Sequence, residues 1–498
     1  MLSSNKAERI KMKKNILLRT IDFSPMIKIK FLFIYLSIVL ISGCTISTKV
    51  PDKPNVLFIS VDDLNDWVGV LGGYPKAITP NIDALAKRGV LFTNAHCAAP
   101  LCGPSRAALM TGISPASSGI YKNNQLFRGS PVLKDAITLP QHFMNNGYKA
   151  IGAGKIYHGS DPDPASWDDY WPSQEKNEPN DPKPNKNSPL IKEYSHFGSP
   201  LIDIGPEKMG DWRSADWVIN QLQSNYDKPL FLAFGIYRPH LPWNVPKKYY
   251  DKFPLDSIIL PEVNNDDHND IPHIMTNWVT RPDSDHRRIL KNDKWKIAVQ
   301  SYLASISFAD ECVGRVVDAL DNSKFRDNTV IVLFSDHGWH LGEKLHWRKA
   351  TLWEESTRSN LLFVAPNVAR VGGICDEPVS LLDIYPTLSD ICNLPVNKKV
   401  EGHSLLDMLK DPSIERDIPV LTTNNYKKHA LRSKKWRYIH YVNGAEELYD
   451  REKDPMEWTN LASDPAFDQV KDDLKKFLPE YDHEEVQVYR DEKKYGHN

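Results

Sequence analysis

Two acids stand side by side directly after an unbroken apolar run: Val56-Leu57-Phe58-Ile59-Ser60-Val61 leads into Asp62-Asp63. A second run, residues 330–334, ends the same way in Ser335-Asp336-His337-Gly338. Carboxylates are hard oxygen donors that suit a divalent cation, although paired acids at strand ends also serve as helix caps or turn formers. His337 adds an imidazole, a ligand more usual for transition metals than for Ca2+. Between these runs lies Cys102-Gly103-Pro104-Ser105-Arg106-Ala107-Ala108-Leu109-Met110-Thr111-Gly112, which sets a nucleophilic thiol four residues before an arginine. A Cys and an Arg near a helix start can equally lack any chemical role. Taken together, the set suits an anionic group held by a cation and fixed donors while charge builds on it.

Such residues must be carried to one place. The runs at 56–61, 230–235, 330–334 and 361–364 are short, continuous, apolar and rich in β-branched residues, the mark of buried strands. Helical periodicity covers 82–88 and 295–320 between them. Buried strands alternating with helices predict an α/β domain with a mostly parallel central sheet flanked by helices. Ligands then bind beyond the carboxyl ends of the strands, where both acidic segments fall. Residues 160–200, rich in Pro, Asn, Asp and Lys without a sustained period, read as a long surface excursion over the cleft. After Asp411-Pro412 the pattern breaks into short strand-like pieces and an acidic helix, which predicts a smaller α+β subdomain at 415–498 beside a catalytic domain at 54–414.

The 498 residues carry 62 Lys+Arg against 64 Asp+Glu, with 41% hydrophobic and 25% charged residues. That composition excludes a disordered or collagen-like chain. A net charge of −2 argues against a nucleic-acid partner, and six cysteines are too few for a disulfide scaffold. Residues 31–43 bear no charge and follow Lys28 and Lys30. They fall short of the roughly 20 residues a membrane-spanning helix needs but suit a signal peptide. The run closes on Leu40-Ile41-Ser42-Gly43-Cys44, which resembles the lipobox of bacterial lipoproteins, whose Cys becomes the lipidated N-terminus. The expectation is a 1–43 lipoprotein signal peptide, a polar tether at 44–53, and membrane anchoring through Cys44 in the periplasm or at the cell surface. Met26 would start a more compact signal than Met1. Cleavage before Cys44 removes eight Lys/Arg and two Asp/Glu, leaving 54 basic and 62 acidic residues, a net −8.

The segment from Cys102 to Gly112 resembles the sulfatase signature C-x-P-S-R, a short helix and T-G. The resemblance runs from Pro54-Asn55-Val56 to Glu447-Leu448-Tyr449-Asp450 and includes Ser380 to Thr387 and Glu401-Gly402-His403-Ser404-Leu405. It implies the alkaline-phosphatase-like sulfatase fold and a formylglycine at Cys102, installed by a maturation enzyme. The aldehyde hydrate would attack sulfur, and its second hydroxyl would later expel the sulfate. Asp-His at 336–337, where many members have Asp-Asn, is similar to the iduronate-2-sulfatase-like branch.

Carried over residue by residue, the resemblance makes Asp62, Asp63, Cys102, Asp336 and His337 the metal site, with Ca2+ favoured. Lys155 and Lys349 would bind sulfate oxygens, and His158 would orient the hydrate. His240 would donate a proton to the leaving alcohol, while Arg106 would hold the formylglycine oxygen. The implied substrate is a sulfated oligosaccharide or polysaccharide, with a 2-O-sulfated uronate or related sugar foremost. Two alternatives stand beside it: a phosphate or phosphonate monoester hydrolase on the same fold, and a non-catalytic lipoprotein that binds sulfated glycans.

Other signals carry less. Gly152-Ala153-Gly154-Lys155 lacks the spacing and hydroxyl of a phosphate loop. His340 and His346 near His337 suggest zinc, but no H-E-x-x-H is present and cleft-lining histidines are the commoner outcome. Cys97 reads as a buried thiol, whereas Cys312, Cys375 and Cys392 could form a disulfide that the sequence cannot pair. Trp243, His346 and Arg348 neighbour the motifs and could meet a sugar, with packing or solvation the plainer roles.

Overall fold

The computed structural model describes residues 53–490 apart from 160–162, 175–180, 185–196, 199, 202, 280 and 282–283. The expected signal segment and Cys44 lie outside the described residues. Among those described, no helix is long and apolar enough to cross a membrane.

Strand β1 (Asn55–Val61) is buried at every position, as a strand covered by helices on both faces must be. It shares a sheet with β2 (Val90–His96), β3 (Lys149–Gly154), β4 (Asp169–Trp171), β5 (Leu230–Ile236) and β6 (Thr329–Ser335). A hairpin of β7 (His340–Leu341) and β8 (Trp347–Arg348) follows. The chain then rejoins the sheet as β9 (Arg358–Val364), β10 (Gly373–Cys375) and β11 (Val379–Ser380). The order is β10-β2-β9-β6-β1-β5-β3-β4, with β11 also on β2. All pairings are parallel except those of β9, which opposes β2 and β6.

Alternation along β1 splits the core in two. Leu57, Ile59 and Val61 face the helices Gly210–Leu222 and Trp295–Asp321, whereas Val56 and Phe58 face Leu139–Asn145 and Ile384–Ile391. This is the expected mostly parallel α/β architecture.

Two expectations change. Part of the 160–200 excursion is structural, because β4 extends the sheet edge beside β3. Every described cysteine (Cys97, Cys102, Cys312, Cys375 and Cys392) is a buried free thiol, so no disulfide joins Cys312, Cys375 or Cys392.

The C-terminal region holds a four-stranded antiparallel sheet: β12 (Val420–Thr423), β13 (His429–Arg432), β14 (Trp436–His440) and β15 (Glu446–Asp450). Helix Asp468–Lys475 covers it through Leu474, against Leu431, Tyr438 and Leu448. Buried ions bind this sheet to the rest: Arg437 pairs with Glu354 and, at 2.5 Å, with Glu457, and Arg432 lies 3.1 Å from Glu354. The last described residues leave the small sheet altogether. The His483 and Val486 amides donate to the carbonyls of Ala116 and Gly119, and Arg490 N donates to Asn124 O.

Candidate active site

Strand register explains why residues far apart in sequence meet. β6, β1, β5 and β3 are consecutive parallel neighbours, so their carboxyl ends share one edge. Asp62 and Asp63 follow β1, Asp336 and His337 follow β6, Lys155 follows β3, and His240 lies just beyond β5. Close approach between β3 and β5 needs glycine. A Cβ on Gly154, at φ +76°, would sit 1.9 Å from the Gly235 carbonyl oxygen, and one on Gly235 would sit 2.3 Å from Lys155 backbone.

Cys102 opens the helix Cys102–Thr111, which Gly112 ends in the left-handed conformation. Pro104 fits its first turn, where an amide hydrogen has no helical partner. Asn123 Oδ1 instead accepts from Gly103 N at 2.8 Å. Ser105 Oγ donates to the Asp336 carbonyl at 2.6 Å and ties the helix to the end of β6.

The Cys102 thiol is fully buried. Its Sγ lies 2.8 Å from Lys349 Nζ, 3.3 Å from His337 Nε2 and 3.9 Å from Asp63 Oδ1. Lys349 also reaches Asp63 Oδ1 at 2.5 Å, and Lys155 reaches Asp62 Oδ2 at 2.5 Å. Aromatic faces back both lysines: Tyr237 lies 4.5 Å from Lys155 Nζ and Trp339 5.3 Å from Lys349 Nζ.

Arg106 spreads its fork over three strand ends. Nε donates to Asp336 at 2.9 Å and Nη2 to Asp62 at 3.0 Å, while Nη1 serves Ser60 Oγ and the Lys155 and Ile156 carbonyls. None of these five bonds reaches Cys102. The arginine clamps these strand ends and balances their charge.

Burial and unequal neighbours split the acids. Burial raises Asp62, yet Lys155 and Arg106 overcome it and hold the carboxyl well below its usual range. Asp63 is pushed up to about 7 by burial, only partly offset by Lys349. Burial lifts Asp336 to about 6 against Arg106. Burial also keeps His158, His240 and His337 well below the ordinary imidazole range. Neutral His337 donates Nδ1–H to Gly338 O at 2.9 Å, which turns the Nε2 lone pair toward Cys102, Asp63 and Asp336. His240 uses Nδ1 likewise on Leu241 O at 2.6 Å, with Nε2 3.8 Å from Asp63 Oδ2. His158 is three residues beyond Lys155, within electrostatic reach of Lys155, Arg490 and Asp62.

These donors fit a divalent cation. Asp62, Cys102, Asp336 and His337 offer ligand atoms within 4.8 Å of one another, as do Asp62, Asp63, Cys102 and His240. Asp63 Oδ2 is buried without a hydrogen-bond partner, a cost that a cation would remove.

Sequence reasoning missed several supports. Tyr302 OH donates to the Asp63 carbonyl at 2.7 Å and accepts from Asn65 N, while Ser335 Oγ donates to His337 O and accepts from Leu64 N. Their signal is only that Ser335 adjoins the acid motif; nothing marks Tyr302. His340 and His346 pack edge to face at 5.2 Å, with His340 also against Thr351 and Glu343 and His346 against the Lys349 carbonyl, and among the described residues neither joins a candidate metal group. Trp243 is fully buried packing. His346 and Arg348, by contrast, line a cavity next to Lys349.

A buried set of acids, cations and a nucleophile at the carboxyl edge of a mostly parallel sheet defines a hydrolase of anionic esters. The family model described as Sulfatase matches residues 54–394, and one described as N-sulphoglucosamine sulphohydrolase, C-terminal, matches 342–484. A sulfatase from Formosa agariphila is 40% identical over 450 residues, covering 86% of this chain and 87% of that protein. Iduronate 2-sulfatase of Homo sapiens is 30% identical over 458 residues, covering 78% and 81%. Among solved structures, the phosphonate monoester hydrolase of Agrobacterium radiobacter shares the fold, with TM-score 0.70 and 22% identity over 85% of this chain and 94% of that one. The chain belongs to the sulfatase family, and is a sulfuric ester hydrolase.

Proposed function

We propose that this enzyme removes sulfate from a sulfated carbohydrate outside the cytoplasm, with a 2-O-sulfated uronate or related sugar as substrate. In this reading Cys102 becomes formylglycine and Ca2+ is the metal. One observation carries it: a fully buried Cys102 in a C-x-P-S-R sequence, with Lys349 Nζ at 2.8 Å and His337 Nε2 at 3.3 Å. The iduronate 2-sulfatase relative supports the choice of sugar. Residues 31–43 and Cys44 support export and a lipid anchor.

As formylglycine hydrate, residue 102 would supply an oxygen nucleophile and a second hydroxyl that later releases sulfate, a route a thiol lacks. Asp62, Asp63, Asp336 and His337 would hold the cation, which supplies Lewis-acid polarisation of sulfate oxygens. Three carboxylates face three cationic side chains (Arg106, Lys155 and Lys349), so a divalent ion would leave the site positive and receptive to an anion. Lys155 and Lys349 then hold sulfate oxygens and neutralise charge as it builds. A sulfate beside His240 favours its protonated form, and Nε2 passes that proton to the departing sugar oxygen. Arg106 keeps the strand ends fixed throughout.

Peptide mass spectrometry of residue 102 from the native host, followed by sulfate release from defined sulfated oligosaccharides, tests each part. A residual thiol removes the formylglycine. Failure on every uronate 2-sulfate removes the sugar while leaving the family chemistry. Faster turnover of phosphate or phosphonate esters overturns the sulfate reading itself.

A further inference from the structure

Neighbouring residues on a strand point to opposite faces of the sheet. Asp62 and Asp63 nevertheless both send a carboxylate into one cluster with Cys102 and His240. The turn that allows this is at Asp63, whose φ of +59° lies in the left-handed region. Aspartate tolerates that region without preferring it, so its surroundings must hold it there. The ladder of the large sheet reaches the Asp62 amide, which donates to the Ile236 carbonyl at 3.1 Å.

Beyond Asp62, side chains take over from the ladder. Asp63 N donates to Asp336 Oδ1 at 3.2 Å and Leu64 N to Ser335 Oγ at 3.1 Å, both at the end of β6. Asn360 on β9 gives Nδ2 to the Leu64 and Asn65 carbonyls, at 3.0 and 2.8 Å. Tyr302, on the helix Trp295–Asp321, donates its hydroxyl to the Asp63 carbonyl at 2.7 Å and accepts from Asn65 N at 2.9 Å. Every backbone N–H and C=O from Asp63 to Asn65 is thereby paired. Tyr302 alone of these reaches both sides of Leu64 through a single atom, which fixes the span of the turn. Its ring is fully buried, edge-on to Trp67 at 5.7 Å and to Trp243 at 5.5 Å, so the hydroxyl has little freedom to follow a relaxing backbone.

We propose that Tyr302 is a positioning residue for the cation. By clamping the Asp63 carbonyl and the Asn65 amide it holds Asp63 left-handed, and so keeps that carboxylate turned toward Asp62, Cys102 and His240. The turn is set before an ion arrives, and binding then needs no reordering of it. Without the hydroxyl, Asp63 relaxes toward negative φ and its carboxylate swings out of the cluster. Tyr302 itself touches only backbone, so its whole effect passes through Asp63. This rests on the reading of these donors as a divalent cation site.

The test titrates Ca2+, and separately Mn2+, calorimetrically into full-length protein freed of metal with EDTA. Wild type is compared with Tyr302→Phe, which keeps the ring and its packing, and with Tyr148→Phe. Tyr148 is the control because its hydroxyl donates to the Pro54 carbonyl at 2.9 Å, just before β1 rather than just after it. Each variant loses one buried bond, at opposite ends of the same strand. Tyr302→Phe should bind the ion roughly 10- to 100-fold more weakly, the usual effect of losing a group that orients a metal ligand. Tyr148→Phe should bind as wild type does. Turnover of an aryl sulfate against Ca2+ concentration is the second readout. Tyr302→Phe should need more Ca2+ by the same factor, while saturating Ca2+ restores its KM and most of its kcat. A merely structural role would lower the melting temperature in EDTA and leave the ion affinity unmoved. That result overturns the proposal and leaves the cation site standing. Wild type that binds neither ion overturns the cation reading, and the proposal with it.

Discussion

Replacing Arg106 by Met keeps the stem and removes the fork. The side chain is 2% exposed and makes ion pairs of 3.0 Å to Asp62 and 2.9 Å to Asp336. In the variant Asp62 keeps Lys155 at 2.5 Å. Asp336 keeps only the Asp63 amide on Oδ1, at 3.2 Å, of the bonds that held both its oxygens. The Lys155 and Ile156 carbonyls also lose a donor. Stripping one partner from a buried pair costs about 3–5 kcal/mol, and each orphaned carbonyl adds about 1–3 kcal/mol before relaxation. Because these groups share one network and do not add, about 5 kcal/mol is the expected loss. Unfolding entropy of about 2.1 cal/mol/K per residue, over roughly 440 residues, converts this to a fall in Tm of about 5 °C. The assay is calorimetry in EDTA on protein made without a maturation enzyme, so neither metal binding nor the state of Cys102 contributes. Arg106→Lys should fall between, since an ammonium keeps the charge but not the geometry. A Tm for Arg106→Met within 1 °C of wild type would refute the clamp.

Gly235→Ala should cut sulfate release at least tenfold, because its Cβ meets Lys155 backbone at 2.3 Å and must displace that lysine; unchanged kcat would contradict this. Ca2+ at a hundredfold excess over its Kd should stabilise by about 2.7 kcal/mol, or about 3 °C. Asp63→Asn should abolish that shift in a fluorescence melt, and a wild type indifferent to divalent ions would sink the donor set. Burial, with Asp181 adding repulsion, pushes Asp211 up to about 7. The folded carboxyl therefore takes up a proton before the unfolded one, and stability should rise as pH falls from 8 toward 5. Asp211→Asn should flatten that rise by about one proton, read from urea midpoints across pH; equal slopes would show the group is inert. Arg437→Met should loosen the small sheet, because it leaves Glu354 and Glu457 short of a fully buried partner. Melting about 3–5 °C lower is expected, together with faster proteolysis in 411–418.

Apolar runs that end in acids are legible because a buried parallel strand leaves a continuous signal, as β1, β5 and β6 do. β3 escaped that reading. Its sequence, Lys-Ala-Ile-Gly-Ala-Gly, has little strand propensity, and its place depends on glycines that let two backbones touch. The same glycines made Lys155 look like part of a failed phosphate loop. Cys102 and Arg106 were visible as a motif, but the bonds of Arg106 depend on tertiary register that no spacing reveals. Lys349 sits in the most distorted stretch of the site: Lys344, Leu345, Arg348 and Ala350 all have positive φ without being glycine. Local propensity contradicts that geometry, so only the surrounding packing specifies it. One such support is Asn424, beside β12, which donates to the Ala350 carbonyl at 2.7 Å.

The return of residues 483–490 ties two distant stretches of the chain together beside Cys102. Residues 483–490 pair with the segment 116–126, whose Asn123 caps the nucleophile helix, and the Arg490 guanidinium rests on Gly159 next to His158. Residues 483–490 therefore help to hold the segment that caps the Cys102 helix. Cys102, 0% exposed once folded, is open to another protein only before the chain has closed around it. An enzyme that modifies this thiol must therefore meet it before folding is complete.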